Sequence, residues 1–463
     1  METRRKFHII TYGCQMNVAD SEMMSGVLKK IGYTHTKTLK EADLILINTC
    51  AVRTKPEAKV YGRLSYLSHI KEDKPSLLIG ICGCVAQKER ENITKKHPYV
   101  DMVFGPQSIG ELPKLIELAE QAVSLKMKYI ENKKTNIKLK RKLKGAGIYG
   151  DFASAGDNLP EADVSRTSSF KAYVTIMRGC NNFCSYCVVP YTRGREKSRP
   201  FEAIYGEVKQ LVEKGYREIT LLGQNVNSYK GENGQSFADL LKAIDKIEGH
   251  FYVRFMTSHP KDLSDSLIDA IADSRHLAPH VHLPFQSGST EILKAMNRRY
   301  TREHYLKLIE KIKSKIPKVT LTTDVITGFP GETDNDFQDT VSLLETVRFD
   351  SAFLFFYSER EGTAALELEN PVPLETRLKR LDELIQLQMK ISTEINVSMT
   401  GETHEGIVEG RAPKNEGEFS VRTYDNHVVI LNAPEKSDDF IGNFVTMKIT
   451  AGHNFVLIGE IIN

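Results

Sequence analysis

The stretch from Arg178 to Pro200 reads RGCNNFCSYCVVPYTRGREKSRP, and its three cysteines constrain this chain more than any other feature. Cys180, Cys184 and Cys187 follow the pattern C-x3-C-x2-C, so one short loop brings three thiols to one place. Thiolates at that spacing wrap an iron-sulfur cube and leave its fourth iron without a protein ligand. A zinc site and three unrelated buried cysteines are the competing readings. Zinc takes four ligands, and no further Cys or His lies near the loop in sequence to complete a tetrahedron. The apolar, β-branched run KAYVTIMRG feeds directly into the loop, which places the cysteines at a strand end.

An open iron is what S-adenosylmethionine (SAM) chelates through its amino acid end in radical SAM enzymes, which this loop resembles. In those enzymes electron transfer from the cluster cleaves SAM to a 5′-deoxyadenosyl radical. The rest of the composition is that of an ordinary globular protein able to bury two or three cores: 463 residues, 40% apolar and 27% charged. Seven cysteines is an odd count, which in a reducing compartment favours metal ligation over disulfides. The opening METRRKFHIITYGC fits neither a signal peptide nor a membrane span, so a cytoplasmic location with no membrane partner is expected.

In residues 1 to about 121 the segments HIITYGC, DLILINTC and LLIGICGC read as short buried strands, each ending in a cysteine. Helical patterns separate them, so the order is β-α-β-α-β and the sheet is parallel. Ligand sites in such open α/β sheets lie beyond the carboxyl ends of the strands, where Cys14, Cys50 and Cys84 all fall. Their convergence predicts a second three-cysteine cluster. Cys82 sits inside an apolar run and reads as packing, although spacing alone leaves Cys82 open as the ligand in place of Cys84.

Residues 122–165 read as a flexible linker. Nine Lys and Arg residues lie between 126 and 144 against one acid, Glu131, and such self-repulsion disfavours a compact core. The run is either solvated or helps to hold a phosphate backbone.

Between 166 and 396 six strand patterns alternate with helical ones. Six β/α units are too few for an eight-strand barrel, so an incomplete, TIM-like (β/α)6 barrel is expected, with its active site at the C-terminal mouth. Polar residues suited to SAM end several strands: Gly223, Gln224 and Asn225 after the second, Gln286 and Ser287 after the fourth, Thr323 and Asp324 in the fifth. The turn GFPGET that follows also suits a helix start capped by Thr333. His259, His280 and His282 read as rim or core residues. Arg193 suits a carboxylate or phosphate of the substrate.

Residues 397–463 change to short alternating strands separated by Gly, Asn and Asp, the pattern of a small antiparallel β-barrel of oligonucleotide-binding size. Arg422 and Lys448, with Arg411, Lys414, Tyr424, Phe444 and Phe455, make the mixture of charge and aromatic surface that grips RNA; a purely structural barrel is the alternative.

The segments TYGCQMNVADSE, INTCAVR, GCVAQ, LLGQNVNSY, TSHP, HLPFQSGS and GFPGET, with the cysteine loop, closely resemble the methylthiotransferases, among them the MiaB-type tRNA enzymes, in order and over nearly the whole chain. One departure is SEREGTAAL, where relatives more often have RPGT; it bears on that loop and not on the chemistry. The resemblance implies a methylthiotransferase N-terminal domain, a radical SAM core and a C-terminal TRAM domain. It also implies an auxiliary 4Fe-4S cluster on Cys14, Cys50 and Cys84, which selects Cys84 over Cys82, and a radical SAM 4Fe-4S cluster on the other three cysteines. The implied reaction converts N6-(dimethylallyl)adenosine at position 37 of tRNA to its 2-methylthio form. One SAM gives the methyl group, a second gives the radical, and an external electron donor reduces the clusters; a monomer is expected. A sister enzyme acting on threonylcarbamoyl-adenosine or on a ribosomal-protein aspartate is the near alternative, and a non-catalytic iron-sulfur RNA-binding protein is the alternative of another class.

Overall fold

The computed structural model describes residues 4–50, 54–132, 146–150, 152, 164–432 and 438–462. The chain divides into two compact units. One comprises Met1–Thr167, Arg178–Asn181 and Val188–Lys197; the other comprises Ser168–Met177, Asn182–Cys187 and Ser198–Asn463.

The first unit is an open sheet. Strands β1 (Lys6–Tyr12), β2 (Thr34–His35), β3 (Leu44–Thr49), β4 (Leu78–Gly83), β5 (Met102–Phe104) and β6 (Ile148–Tyr149) lie in the order β2-β1-β3-β4-β5-β6, every pair parallel. Helices α1 (Gln15–Lys30), α2 (Thr54–Asp73), α3 (Cys84–Glu89), α4 (Glu91–Lys96) and α5 (Leu112–Asn132) connect and cover it. Residues on one face, including Leu44, Leu46, Cys82 and Met102, pack with Met24 and Leu28 of α1 and Leu115 and Ile116 of α5. Ile45, Ile47, Ile79 and Ile81 on the other face pack with Val60, Leu64 and Leu67 of α2. Coverage on both faces is why these strands are apolar throughout rather than alternating.

The boundary expected at residue 121 falls inside α5, which continues to Asn132. β6 also lies within the expected linker, because Asp101 offers its edge: its side chain accepts from the Ala146 N–H at 3.0 Å and its carbonyl from the Ile148 N–H at 2.8 Å. The basic stretch from Lys133 to Lys144 lies outside the described residues.

In the second unit, β7 (Lys171–Thr175) leads to β8 (Met177–Arg178), the cysteine loop, the short helix α6 (Val189–Arg193) of the first unit, and β9 (Lys197–Ser198), which pairs with β8. Then follow α7 (Phe201–Glu213), β10 (Glu218–Leu222), α8 (Phe237–Ile244), β11 (Tyr252–Phe255), α9 (Asp265–Ala272), β12 (His280–His282), α10 (Thr290–Ala295), α11 (Arg302–Lys315), β13 (Thr320–Thr327), α12 (Asp334–Val347), β14 (Ser351–Phe356) and α13 (Leu374–Ser398). The six β/α strands form two parallel sheets, β7-β10-β11 and β12-β13-β14. This is the expected incomplete barrel, with its core between strands and helices. Hydroxyl N-caps start five of its helices. Ser236, Ser264, Ser289, Thr301 and Thr333 each accept a backbone N–H three residues on.

The last five strands, β15 (Thr403–Ala412), β16 (Asn415–Thr423), β17 (Val428–Asn432), β18 (Phe444–Gly452) and β19 (Leu457–Ile461), close into a small barrel. Four of its pairings are antiparallel, as expected, but β17 and β19 run parallel. This barrel docks against the starting ends of the α/β strands. Arg254 donates to the carbonyls of Thr423 (2.7 Å) and Tyr424 (3.0 Å), and Lys171 pairs with Glu409 (3.1 Å). Glu218 bridges Lys171 and Arg254; burial pushes its carboxyl up, but these two cations hold it down at about 2. His427 stands between Asp425 (3.3 Å) and Asp350 (3.4 Å). Against burial, those carboxylates push it up to about 9. No helix among the described residues is long and apolar enough to cross a membrane.

Candidate active site

Strand register assembles the first cysteine set. Tyr12 pairs with Thr49, and Thr49 with Gly83, so β1, β3 and β4 end on one level. Cys50 and Cys84 are the next residues after those ends, and Cys14 follows after one glycine. Gly83 has φ +90°, and a Cβ there would stand 2.4 Å from the Thr49 carbonyl oxygen; at Gly13 it would stand 2.8 Å from Cys50 Cβ. Only glycine permits this close approach of strand ends.

A buried polar network holds the same ends. Asn17 Nδ2 donates to Asn48 Oδ1 at 3.2 Å and to the Thr49 carbonyl at 3.3 Å. Asn48 returns a hydrogen bond to the Asn17 carbonyl at 2.8 Å, and Thr49 Oγ1 donates to the Cys82 carbonyl at 2.8 Å. Cys14 caps α1, and its thiol is drawn down to about 6 by a hydrogen bond with Cys50, with Arg193 and the backbone at Asn17 and Met16 adding against burial. Cys50 and Cys84 are buried.

Arg193 stands beside this set on α6. Its Nη2 donates to Asp20 Oδ2 at 2.8 Å, while Arg178 reaches the other oxygen of Asp20 at 3.2 Å. Burial disfavours the Arg193 charge, and Asp20, Cys84 and Cys14 sustain it. Its Nη1 is buried without a hydrogen-bond partner. The carboxylate that Arg193 meets is therefore the protein's own. A fixed guanidinium beside the thiols of Cys14 and Cys84 suits an anionic, thiolate-held cluster. Cys82 lies within β4 on the face covered by α1, 3.6 Å from Met24 Sδ, and burial pushes its thiol well up. Cys84 lies past the strand end, at the start of α3, so Cys82 packs in the core while Cys84 stands at the rim.

The second set lies on the loop after β7 and β8. Cys187 N donates to the Cys184 carbonyl at 3.0 Å. The segment after α10 anchors this part of the loop: Asn297 Nδ2 donates to the Phe183 carbonyl at 2.8 Å and Ser185 Oγ donates to the Ala295 carbonyl at 2.8 Å. Arg298, buried like Arg193, sets Nη1 3.7 Å from Cys184 Sγ and donates Nε to Tyr300 at 3.1 Å. Among the described residues no three His, Cys, Asp or Glu side chains are gathered closely enough to hold a single metal ion. A cube takes each thiolate on a different iron, which spaces them wider than ligands on one ion.

Of the residues expected to meet SAM, Asn225 is buried and donates Nδ2 to Asp262 at 2.7 Å. Gly223 packs on Met177, its carbonyl accepting from Thr257 at 2.7 Å. Gln286 takes a positive φ of 68° at the end of β12, where it bridges to Val325, and Ser287 is fully buried beside it. Thr323 is also fully buried, tying β13 to the Leu283 carbonyl at 2.9 Å, while Asp324 faces His282 at 3.6 Å. On the small barrel, Lys448 is exposed, whereas Arg422 pairs with Glu409 at 3.1 Å. Tyr424 and Phe444 are committed to docking: Tyr424 packs on Tyr252 at 4.7 Å and Phe444 stacks on His250 at 3.9 Å.

Asp20, Asn17, Asn48, Arg178 and Arg298 escaped the sequence reading. A signal for some of them existed, since Asn17, Asp20 and Ser21 share one face of α1 at helical spacing, and polar residues on a buried face need a purpose.

An incomplete parallel α/β barrel with a three-cysteine loop after its first strand defines a radical SAM enzyme, and a model described as the Radical SAM superfamily matches residues 174–344. That membership implies SAM and a 4Fe-4S cluster. A second model, described as uncharacterized protein family UPF0004, matches residues 6–105. The fold is similar to that of the radical SAM methyltransferase TsrM from Kitasatospora setae, with a TM-score of 0.55 at 12% identity over 78% of this chain and 74% of that one. It is also similar to that of the cobalamin-dependent SAM radical enzyme OxsB, with a TM-score of 0.51 at 12% identity, over 83% of this chain and 56% of that longer one. Among curated proteins, the tRNA-2-methylthio-N(6)-dimethylallyladenosine synthase of Carboxydothermus hydrogenoformans is 46% identical over 99% of both chains. The enzyme of the same name from Syntrophomonas wolfei is 44% identical over 99% of this chain and 98% of its own. The chain belongs to the family of tRNA-2-methylthio-N(6)-dimethylallyladenosine synthases.

Proposed function

We propose that this chain converts N6-dimethylallyladenosine at position 37 of tRNA to its 2-methylthio derivative, drawing on SAM both for the methyl group and for radical chemistry. The observation that carries this reading is the identity to synthases of that name along essentially the whole chain. Cys14, Cys50 and Cys84 would hold one 4Fe-4S cluster, and Cys180, Cys184 and Cys187 the other. When bound, these groups supply the one-electron chemistry that an aromatic C–H without an acidic proton requires.

The chain's own side chains position and balance that chemistry. Arg193, fixed by Asp20, places positive charge beside Cys14 and Cys84, and Arg298 does the same beside Cys184. Gly223, Gln224, Asn225, Gln286, Ser287, Thr323 and Asp324 line the strand ends where SAM would lie. The small barrel meets RNA through Lys448, with Arg422 held near by Glu409; Arg193 orients the cysteine rim rather than the phosphate backbone. The adenine must leave its stack to reach a barrel mouth. The domain limits that go with this reading are 1–121, 122–165, 166–396 and 397–463, with the first extended through α5 and β6. An external electron donor, a monomeric state and a cytoplasmic location complete it.

Mass analysis of tRNA nucleosides tests the reading. A strain lacking the gene should accumulate N6-dimethylallyladenosine and lose its 2-methylthio form, and returning the gene should restore it. Persistence of the methylthio nucleoside in the deletion strain would overturn the assignment.

A further inference from the structure

Two phenylalanines stand exposed on β14, a strand whose other side chains are mostly covered. Ala352 and Leu354 pack on the core shared with the helices, so alternation along the strand turns Ser351, Phe353 and Phe355 to the other face, toward the inside of the incomplete barrel. Phe353 is 43% exposed and Phe355 38%. β14 is also the last strand of its sheet, so these rings lie at an open side.

Register sets their neighbours. Phe353 lies beside Asp324, and Phe355 beside the partly buried Ile326. On the same face His280 and His282 both hydrogen-bond with Thr322 Oγ1, at 2.8 and 3.0 Å, and His282 faces Asp324 at 3.6 Å. Phe353 meets His282 edge-on, with ring centroids 6.0 Å apart. The polar groups of this face thus answer one another, and the surface offered to a ligand is the apolar strip of Phe353, Phe355 and Ile326. Contiguous exposed apolar side chains mark a binding surface, and an uncharged, branched hydrocarbon is the group they receive best. Asp324 narrows the choice, because its carboxylate repels another carboxylate brought beside Phe353.

We propose that Phe353 and Phe355, with Ile326, form the wall that receives the dimethylallyl group of the substrate adenosine, and that Asp324 excludes a carboxylate-bearing tail such as threonylcarbamoyl. The inference rests on the substrate reading given above and assigns its selectivity to one strand.

The test uses the full chain with its clusters reconstituted and synthetic anticodon stem-loop RNAs that differ only at position 37, carrying adenosine, N6-dimethylallyladenosine or N6-threonylcarbamoyladenosine. Dissociation constants are read by fluorescence anisotropy. The unaltered protein should bind the dimethylallyl RNA about tenfold more tightly than the adenosine RNA, as burial of a few apolar carbons supplies, and the threonylcarbamoyl RNA no more tightly than the adenosine RNA. Phe353→Ala combined with Phe355→Ala should cut the preference to about twofold, with affinity for the adenosine RNA and iron content unchanged, and Phe353→Leu should keep most of it. A preference undiminished in the double variant would overturn the proposal, as would tighter binding of the threonylcarbamoyl RNA than of the adenosine RNA. If the double variant sheds iron, the same ratio is read in Phe353→Ala alone, where an unchanged preference overturns it. Equal binding of all these RNAs by the unaltered protein also sinks the wall, whereas binding of none would remove the substrate reading on which it rests.

Discussion

Cys180, Cys184 and Cys187 come from eight consecutive residues, whereas Cys14, Cys50 and Cys84 come from three strand ends spread over 71 residues. The loop set is local, and tertiary structure only braces it: Asn297 and Arg298 hold a loop whose spacing is already written in the chain. The rim set exists only through sheet register and through the network of Asn17, Asn48 and Thr49. Each set has a buried arginine, but the two differ in what balances it. Asp20 offsets Arg193, while Arg298 meets a tyrosine hydroxyl, the Pro284 carbonyl and the Cys184 thiol. A site made from distant strands thus carries its charge balance within the fold, and a site made from one loop leans on the thiolate itself.

The strongest way to break the comparison is to delete each set. Changing Cys180, Cys184 and Cys187 together to Ala should lower iron from about eight to about four per chain and abolish formation of 5′-deoxyadenosine. Changing Cys14, Cys50 and Cys84 should cost the same iron yet leave SAM cleavage in place, with methylthiolation of RNA lost. Equal loss of SAM cleavage in both variants would show that the two sets are not separate. Next in size, Asp20→Ala leaves two guanidinium groups without their carboxylate, the buried Arg193 among them, and should destabilise the first unit by about 3–5 kcal/mol, read by denaturant unfolding. A change under 1 kcal/mol would mean that the thiols alone balance Arg193.

Gly83→Ala, forced into φ +90° against the Thr49 carbonyl, should cost about 2–3 kcal/mol and lower iron bound at the rim, whereas the loop set keeps its iron. The units should also differ in their response to alkali. His427 is raised to about 9 from an ordinary value near 6.5, so its contribution is full below about pH 6.5 and is lost as pH rises through 9. The second unit should lose about 3 kcal/mol over that range, and His427→Gln should flatten the loss in a pH series of thermal unfolding. The smallest effect is expected for Cys82→Ala, about 1 kcal/mol from a small void in the core, with iron content unchanged. Loss of iron there would make Cys82 a ligand.

What the chain determined by itself was whatever depends on neighbours in sequence. The alternation of apolar strands with helical patterns marked nearly every element of both α/β regions, because burial periodicity is a local property. Thr333 was legible as a helix cap for the same reason, and the C-x3-C-x2-C loop needed no distant partner to be read. Tertiary structure decided which partner each buried group meets, since hydrophobic pattern reports that a residue is inside but not what faces it. Only the fold gave Arg193 to Asp20 and set Cys82, already legible as a packing residue, against Met24. It also drew Ile148–Tyr149 back onto the sheet edge beside Asp101 as a sixth strand, and committed Tyr424 and Phe444 to docking the small barrel. The parallel pairing of β17 with β19 belongs with these, because strand direction is settled by barrel closure and leaves no mark in either strand's own residues.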